Sequence, residues 1–482
     1  MTTDGQIADA TRSSGTGGVP DRQGTEPGAR HGAWPAFAGC LIAVFMQMID
    51  VTIVNTALPS ITADLRASPA QQLLVVTAYS LAFACTLLPA ARLGAMFGRR
   101  WLFLGSVIAF TAASVWCAMS GSAVELIVAR VAQGVAGGAM AAQTIAILTA
   151  SFPRSRHPLV FAVYGGTAGF AGMLGPIVGG GLITANIAGT GWHSVFLINV
   201  PLGALAFTLA LRWLHLGPAR ERGRLDLGGA ALSTVSLFLL LSALAAVQQD
   251  GWRIGPAAVL LVALGIGAGF LVQQRRSSRT PLVRLALFED RGFAVGSILV
   301  TMFFGLFTAF VFAISITLQD IVGFSPLRTG VAMTPFALGA GAGALVSPWL
   351  IARWGPRAIA AGIAWFGVCV AIGATYLWFT DGTVDLRIAL VPIFVAGTGV
   401  GVFGVQLQPM MLAGLSQQRM DDASGLLPTI EQVGNGLGLA LLSAVFFRAH
   451  TLGGALTMFA AVSIIALAMG ALALALPGRE RT

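Results

Sequence analysis

Charge is what this 482-residue sequence has least of. Only 10% of its residues are charged, less than half of the roughly 25% usual in a soluble protein. An aqueous globule is excluded, because so little charge would leave large apolar patches in water. Lysine is absent altogether, so all 28 basic residues are Arg. Without Lys no G-x-x-x-x-G-K-S/T phosphate loop can be completed. The chain is therefore expected to hydrolyse no nucleotide, to be no enzyme and to need no cofactor. Its four cysteines, Cys40, Cys85, Cys117 and Cys369, sit in apolar runs with no CxxC spacing; they are expected as free thiols rather than as a disulfide framework. The five histidines form no metal-ligand cluster, so no metal is expected. The 61 glycines follow no G-X-Y repeat. Residues 1–34 are rich in Gly, Ser and Asp and lack the apolar core of a signal peptide, which points to a disordered cytoplasmic tail.

What is present is apolar length: 56% of the residues are hydrophobic. A bilayer span takes about 20 apolar residues, so fourteen spans need roughly 280, which this composition supplies. Apolar runs between charge clusters predict spans at 36–57, 72–93, 101–120, 123–149, 158–185 and 194–214. Two more fall at 227–248 and 255–273, and six at 293–318, 328–351, 358–379, 386–411, 425–448 and 451–475. The expected fold is an all-α membrane protein. It divides into a six-helix bundle over 35–214, two inserted spans with basic loops over 215–292, a second six-helix bundle over 293–476 and a cytoplasmic C-terminus over 477–482.

Arginine placement sets the orientation. With the N-terminus inside, 22 arginines fall in cytoplasmic segments and five outside (Arg66, Arg253, Arg328, Arg387 and Arg448), with Arg130 inside a span. Positive residues are retained on the cytoplasmic side, so both termini are expected inside, in the plasma (inner) membrane. The same placement accounts for the net charge of +9 without invoking nucleic acid. Trp34, Trp101, Trp192, Trp252 and Trp378 fall at span ends, where indoles favour the headgroup region. Trp116 and Trp365 lie deeper and read as packing residues.

A link after the second span, Ala91-Arg92-Leu93-Gly94-Ala95-Met96-Phe97-Gly98-Arg99-Arg100, is echoed after the tenth by Leu350-Ile351-Ala352-Arg353-Trp354-Gly355-Pro356-Arg357. Each follows the second helix of a six-helix set, as a duplicated unit would, and transporters are commonly built from such repeats. Four further motifs come in order. The first span holds Asp50, Thr52-Ile53-Val54-Asn55 and Ala57-Leu58-Pro59; the fourth holds Arg130, Gln133-Gly134 and Gly137. The fifth holds Gly165 through Gly175-Pro176 and Gly179-Gly180; the sixth is approached by Trp192, Phe196, Asn199, Pro201 and Gly203. With these, the chain from about residue 36 onward resembles the major facilitator superfamily, in particular its fourteen-span drug/proton antiporters.

The resemblance implies two six-helix bundles that rock about a central cavity, giving proton-coupled export of hydrophobic or cationic small molecules such as drugs or antibiotics. It implies a monomer driven by the proton-motive force, with the lipid bilayer, protons and a small-molecule substrate as its only partners. Gly98, Arg99, Gly175, Pro176, Gly179, Asn199 and Pro201 would be its conformational motifs. The family's loop after the second helix carries an Asp where this chain has Ala95 and a basic residue where it has Met96, and His193 replaces an Arg. Export of an endogenous metabolite is the alternative within the class; a receptor that binds without transport is the alternative outside it.

Three ionisable residues lie well inside spans: Asp50, Arg130 and Glu431. A charge at membrane depth costs about 2.5–3.5 kcal/mol on insertion scales, so it faces a cavity or a partner. Asp50 and Arg130 each lie seven residues from the predicted outer end of their span, about 10 Å deep, and the fold implied by the resemblance brings their helices together. Two readings stand: Asp50 as the proton acceptor with Arg130 as its partner, or a permanent ion pair holding two helices in register. Gln133, Gly134, Gly137, Ala141 and Thr144 continue from Arg130 at helical spacing, and read as a substrate-facing wall or as a packing seam. Gln47 is expected to share the cavity of Asp50, and Asn55 to face away. Glycines 165, 169, 172, 175 and 179 form a stripe that spacing alone assigns to a tight, bent helix contact; in the family this motif accompanies export. Glu431, with Asn435 one turn on, reads as a second proton or cation site or as a structural acceptor. Glu125 and Asp320 fall at external helix ends as interfacial charges.

Overall fold

The structure is a computed structural model that describes residues 33–186, 189–216, 226–250, 253–276, 281–324, 326–446 and 451–476. Most of the predicted tail at 1–34, the C-terminal 477–482, Trp252 and Arg448 lie outside these residues. In a bilayer, backbone amides have no water to turn to, so apolar runs must satisfy them internally as helices. Fifteen α-helices are present among the described residues. The first set is α1 (Ala33–Leu65), α2 (Pro69–Phe97), α3 (Arg99–Met119), α4 (Ala123–Ser151), α5 (His157–Ala185) and a sixth rod made of α6 (Ser194–Leu197) and α7 (Asn199–Trp213). Then come α8 (Leu227–Asp250) and α9 (Ile254–Arg276). The last set is α10 (Arg291–Ile316), α11 (Pro326–Trp354), α12 (Pro356–Phe379), α13 (Leu386–Leu412), α14 (Gln417–Phe446) and α15 (Leu452–Ala473).

These make fourteen long rods, of which twelve are long and apolar enough to cross a membrane. The bent α5 makes a thirteenth when its two segments are taken together. The fourteenth, α14, carries Arg419, Asp421, Asp422 and Glu431 and is not among them. Several predicted boundaries move, and the thirteenth span, expected from 425, begins at Gln417. The first span, expected to stop at 57, continues through Pro59 to Leu65. Pro59 removes one backbone donor, while Thr62 Oγ1 donates to the Leu58 carbonyl at 2.7 Å. The sixth span, expected as one helix from 194, is interrupted at the single residue Ile198, whose backbone stays in the right-handed helical region (φ -57°, ψ -27°).

The halves repeat one pattern of packing. In the first, α2 packs on α4, α1 on α5, α3 on α4, α1 on α7 and α3 on α7. In the second, α11 packs on α13, α10 on α14, α12 on α13, α10 on α15 and α12 on α15. Each pair maps onto its counterpart when the six rods are numbered alike, as a duplicated unit requires. The echoed links also match. Gly98 (φ +100°) turns the chain from α2 into α3, and Gly355 (φ +56°) turns it from α11 into α12, a region of backbone space that favours glycine. Between the halves, α5 reaches α11 and α13, while α14 reaches α2 and α4. The fifth rod of each half thus crosses to the second and fourth rods of the other.

Close helix approaches fall where glycines remove the side-chain barrier. A Cβ at Gly134 would meet the Tyr79 carbonyl and one at Gly138 the Phe83 carbonyl, so α4 lies directly against α2. Gly175 and Gly179 face Thr52 and Ile53 of α1 in the same manner. Gly169 and Gly172 have no atom within 4 Å of a Cβ position, while a Cβ at Gly165 would meet Val405 Cγ2 of α13 at 3.1 Å, so the predicted stripe is tight at its two ends and open in the middle. Helix α5 bends by 43° between its segments His157–Gly172 and Ile177–Ala185, an interval that includes Pro176.

The hairpin α8–α9 fills the step between the halves. Helix α8 packs on both α2 and α14, and among the stronger contacts α9 packs on α8 alone. Thr234 Oγ1 donates to the Cys85 carbonyl at 3.3 Å and Cys85 Sγ to the Thr234 carbonyl at 3.4 Å, tying α8 to the first half. Asp226 accepts from Gln273 and Gln274, both at 2.9 Å, which closes the hairpin's base.

One end of the molecule carries Arg99, Arg100, Arg154, Arg156, Arg353 and Arg357 at its turns, and the halves meet toward this basic end. Leu88, Ile145 and Phe161 of the first half join the buried core of the second. Gln406 Nε2 of α13 donates to the Pro158 carbonyl of α5 at 3.3 Å. Three tryptophans depart from expectation. Trp192 is buried and donates to Asp64 Oδ2 at 2.9 Å, so it braces two elements instead of anchoring at headgroups. Trp116 and Trp365 are 41% and 49% exposed on the helix surface and are not core residues. Trp34, Trp101 and Trp378 are exposed at helix ends. All four cysteines are free.

Candidate functional site

The charged pair lies inside the first half. Asp50 is at the middle of α1, since that helix runs fifteen residues beyond it to Leu65; the expected depth of seven residues from the end is corrected accordingly. Arg130 stands seven residues into α4 and reaches across to it. Arg130 Nη1 and Asp50 Oδ2 are 2.5 Å apart, with exposures of 1% and 0%. Both charges therefore need every remaining hydrogen-bonding position filled, or the desolvation penalty goes unanswered.

Neighbouring rods supply most of those partners. Gln133 Nε2 donates to Asp50 Oδ1 at 2.7 Å and to Ser114 Oγ at 2.9 Å, while its Oε1 accepts from Arg130 Nη1 at 2.6 Å. Arg130 Nε donates to the Val75 carbonyl of α2 at 3.1 Å. Its guanidinium carbon stands 4.4 Å from the Tyr79 ring centre and 5.9 Å from that of Phe196, within range of a cation–π attraction. Asn199 Nδ2 donates to Asp50 Oδ1 at 3.3 Å and to Ser114 Oγ at 3.2 Å. Cys117 Sγ contacts Gln133 Oε1 at 3.6 Å. Helices α1, α2, α3, α4, α6 and α7 thus converge on one carboxylate.

The sequence-predicted residues sort differently from expectation. Gln133 is spent on the ion pair and does not line a substrate wall. Gly134 and Gly137 pack against α2, at the Tyr79 backbone and at the Tyr79 hydroxyl respectively. Thr144 is fully buried and donates back to the Met140 carbonyl at 3.0 Å. The packing seam is therefore the reading these residues support. Gln47 is buried and donates to the Gly137 carbonyl at 3.1 Å, bridging α1 and α4 rather than facing an open cavity. Asn55 is exposed and faces away from the pair.

Glu431 lies elsewhere, in the second half, half-buried on α14, where it accepts from Gln408 Nε2 of α13. Asn435 Oδ1 accepts from Thr308 Oγ1 at 2.6 Å, joining α14 to α10. Neither meets Asp50. Of the motif residues, Arg99 Nη1 donates to the Ala146 carbonyl at 3.3 Å, fixing the start of α3 to the end of α4. Pro201 is exposed on α7, three residues past Ile198. Ala95 is half-buried at the end of α2. Glu125 accepts from Trp116 Nε1 at 3.2 Å and from the Gly121 amide at 3.0 Å at the start of α4, as a charge at a helix N-terminus does. Among the described residues there is no group of His, Cys, Asp and Glu that could hold a metal ion.

Sequence reasoning missed Tyr79, Ser114 and the membership of Asn199 in the cluster. The only available signal was the need for a buried charge to recruit neutral donors and acceptors from neighbouring helices.

Known proteins share this architecture. The Major Facilitator Superfamily profile matches residues 40–439. The chain is 33% identical over 432 residues to a probable actinorhodin transporter of Streptomyces coelicolor, covering 88% of this chain and 74% of that protein. It is 32% identical over 431 residues to the tetracenomycin C resistance and export protein of Streptomyces glaucescens, covering 87% and 79%. Its fold is similar to the crystal structure of a human organic anion transporter, with a TM-score of 0.64, 16% identity, and coverage of 92% of this chain and 99% of that one.

Proposed function

The chain belongs to the major facilitator superfamily of membrane transporters, and on that premise we propose that it exports hydrophobic or cationic small molecules, such as drugs or antibiotics, in exchange for protons. The observation that carries the coupling is the Asp50–Arg130 pair, almost wholly removed from solvent and wired to most rods of its bundle. The guanidinium and its neutral neighbours hold the carboxylate in this arrangement. A conformational change that loosens them favours protonation, and the return stroke expels the proton.

On the arginine count the basic end is cytoplasmic. The protein then spans the plasma membrane fourteen times with both termini inside. At the basic end Phe161 and Gln406 bring the halves together. The protein acts as a monomer, needs no cofactor, has no enzymatic activity, and draws on the proton-motive force, worth about 2.3 kcal/mol per charge per 100 mV before any pH gradient. Glu431 is a second acidic contact for protons or cationic substrate on the second half. Gly98, Arg99, Gly175, Gly179 and Asn199 fix the elements that move.

A second reading is favoured by the relatives, one named a probable actinorhodin transporter and another a tetracenomycin C resistance and export protein. By that reading the substrate is a product of the host cell. Inverted membrane vesicles test the coupling. Asp50→Asn is expected to abolish proton-driven accumulation of a fluorescent cationic dye while protein levels hold. Full transport by that variant overturns the assignment. Efflux assays across a panel of antibiotics and of the host's own metabolites separate the two substrate readings.

A further inference from the structure

The hydrogen bonds around Asp50 are incomplete in a specific way. Two buried oxygens in the cluster have no partner: the Tyr79 hydroxyl and Asn199 Oδ1. Both residues are nearly solvent-free, at 2% and 0% exposure. An orphaned buried acceptor is expensive, yet the site invests in both. Gly137 leaves room for the first: a Cβ there would come within 3.0 Å of the Tyr79 hydroxyl. The second sits on the amide whose nitrogen already touches Asp50 Oδ1.

Protonation of Asp50 supplies the partners that are missing. A proton added to the carboxylate forms one O–H bond and changes no other covalent bond. The carboxyl then becomes a donor and its hold on Arg130 weakens. The new O–H needs an acceptor, and Asn199 Oδ1 is adjacent once that amide turns over. The released guanidinium N–H needs an acceptor too, and it already lies over the Tyr79 ring. We infer that Tyr79 Oη and Asn199 Oδ1 are the acceptors reserved for the protonated state, taking Arg130 and Asp50 respectively. The inference rests on the reading of Asp50 as the proton-carrying group.

Tyr79 is a positioning residue in this scheme, acting through Arg130. The charged and titratable groups around Asp50 are Arg130 from α4, Tyr79 from α2 and Cys117 from α3. Helices α6 and α7 present neutral Phe196 and Asn199. Asn199 is the first residue of α7, so the proton state of α1 is read at the start of that helix.

Purified protein in lipid, titrated by the infrared band of the protonated carboxyl, tests this with three variants. Asp50→Asn subtracts one component from the band of the parent protein, and that Asp50 band rises with a single midpoint. Tyr79→Phe keeps the ring under Arg130 and deletes an oxygen used only after protonation. Its midpoint should therefore move to lower pH by about one unit, a ten-fold loss of proton affinity. Its melting temperature at high pH should stay level or rise, since an unpaired buried hydroxyl has gone. Gly137→Ala crowds the same hydroxyl and should shift the midpoint in the same direction, which keeps the test open should the Phe variant fail to fold. An unmoved or raised midpoint in Tyr79→Phe and Gly137→Ala, with that component still lost in Asp50→Asn, overturns the inference alone. A parent band that Asp50→Asn leaves undiminished overturns the reading beneath it.

Discussion

A buried pair such as Asp50–Arg130 is worth little over two well-packed apolar residues, yet breaking it is costly. Removing one partner leaves an uncompensated charge, a loss of about 3–5 kcal/mol. Arg130→Leu is thus expected to lower stability by that amount in a thermal melt of detergent-solubilised protein. The double variant Asp50→Leu/Arg130→Leu should recover most of it while transporting nothing. A double variant as unstable as the single would assign the pair a structural role. The pairing itself was legible in the sequence, because three charges inside spans have few ways to be satisfied and two of them sit on helices expected to touch. The role of Gln133 was not. A glutamine one turn from an arginine has the same pattern whether it faces a substrate or chelates the ion pair, and only the position of α1 decides. Ser114 and Tyr79 were invisible because a neutral polar side chain in a span carries no periodic or compositional signature.

Glycine divides the helices into faces that tolerate a side chain and faces that do not. At Gly134 and Gly179 any Cβ runs into the neighbouring helix, and inserting carbon into a filled space costs about 1–3 kcal/mol. At Gly169 and Gly172 the space is empty, and alanine there is expected to change stability by no more than about 1 kcal/mol, toward greater stability, from helix propensity. Melting the four Gly→Ala variants side by side checks the contrast. A loss at Gly172 equal to that at Gly179 would mean that the two halves of α5 are packed alike. The stripe on α5 could be read from spacing, but spacing could not show that its open stretch starts where the chain leaves the contact with α13. Trp192 misled for a related reason: its place at a span end suits a headgroup anchor, and only Asp64 on an unexpectedly long α1 turns it inward.

For the whole molecule, the meeting of the halves at the basic end predicts a trap. Pro158 and Gln406 lie in hydrogen-bonding contact across the halves, so Pro158→Cys with Gln406→Cys should cross-link under mild oxidation. Transport should stop and return on reduction. A cross-link that forms without affecting transport would show that these rods do not separate during the cycle. The six-two-six division and the repeat were readable from charge clusters and the echoed link, since both follow from where a chain must leave the bilayer. The reciprocal crossing of α5 and α14 was not, because contacts between lobes leave no mark on either segment alone.

The hairpin α8–α9 has a consequence for ancestry. It enters and leaves from one face, so placing it between the lobes left every later rod pointing as it did before. A single added helix would have turned the second lobe upside down and destroyed its correspondence with the first. Two is the smallest number of passages that a tandem protein of this kind can gain at its midpoint without being rebuilt.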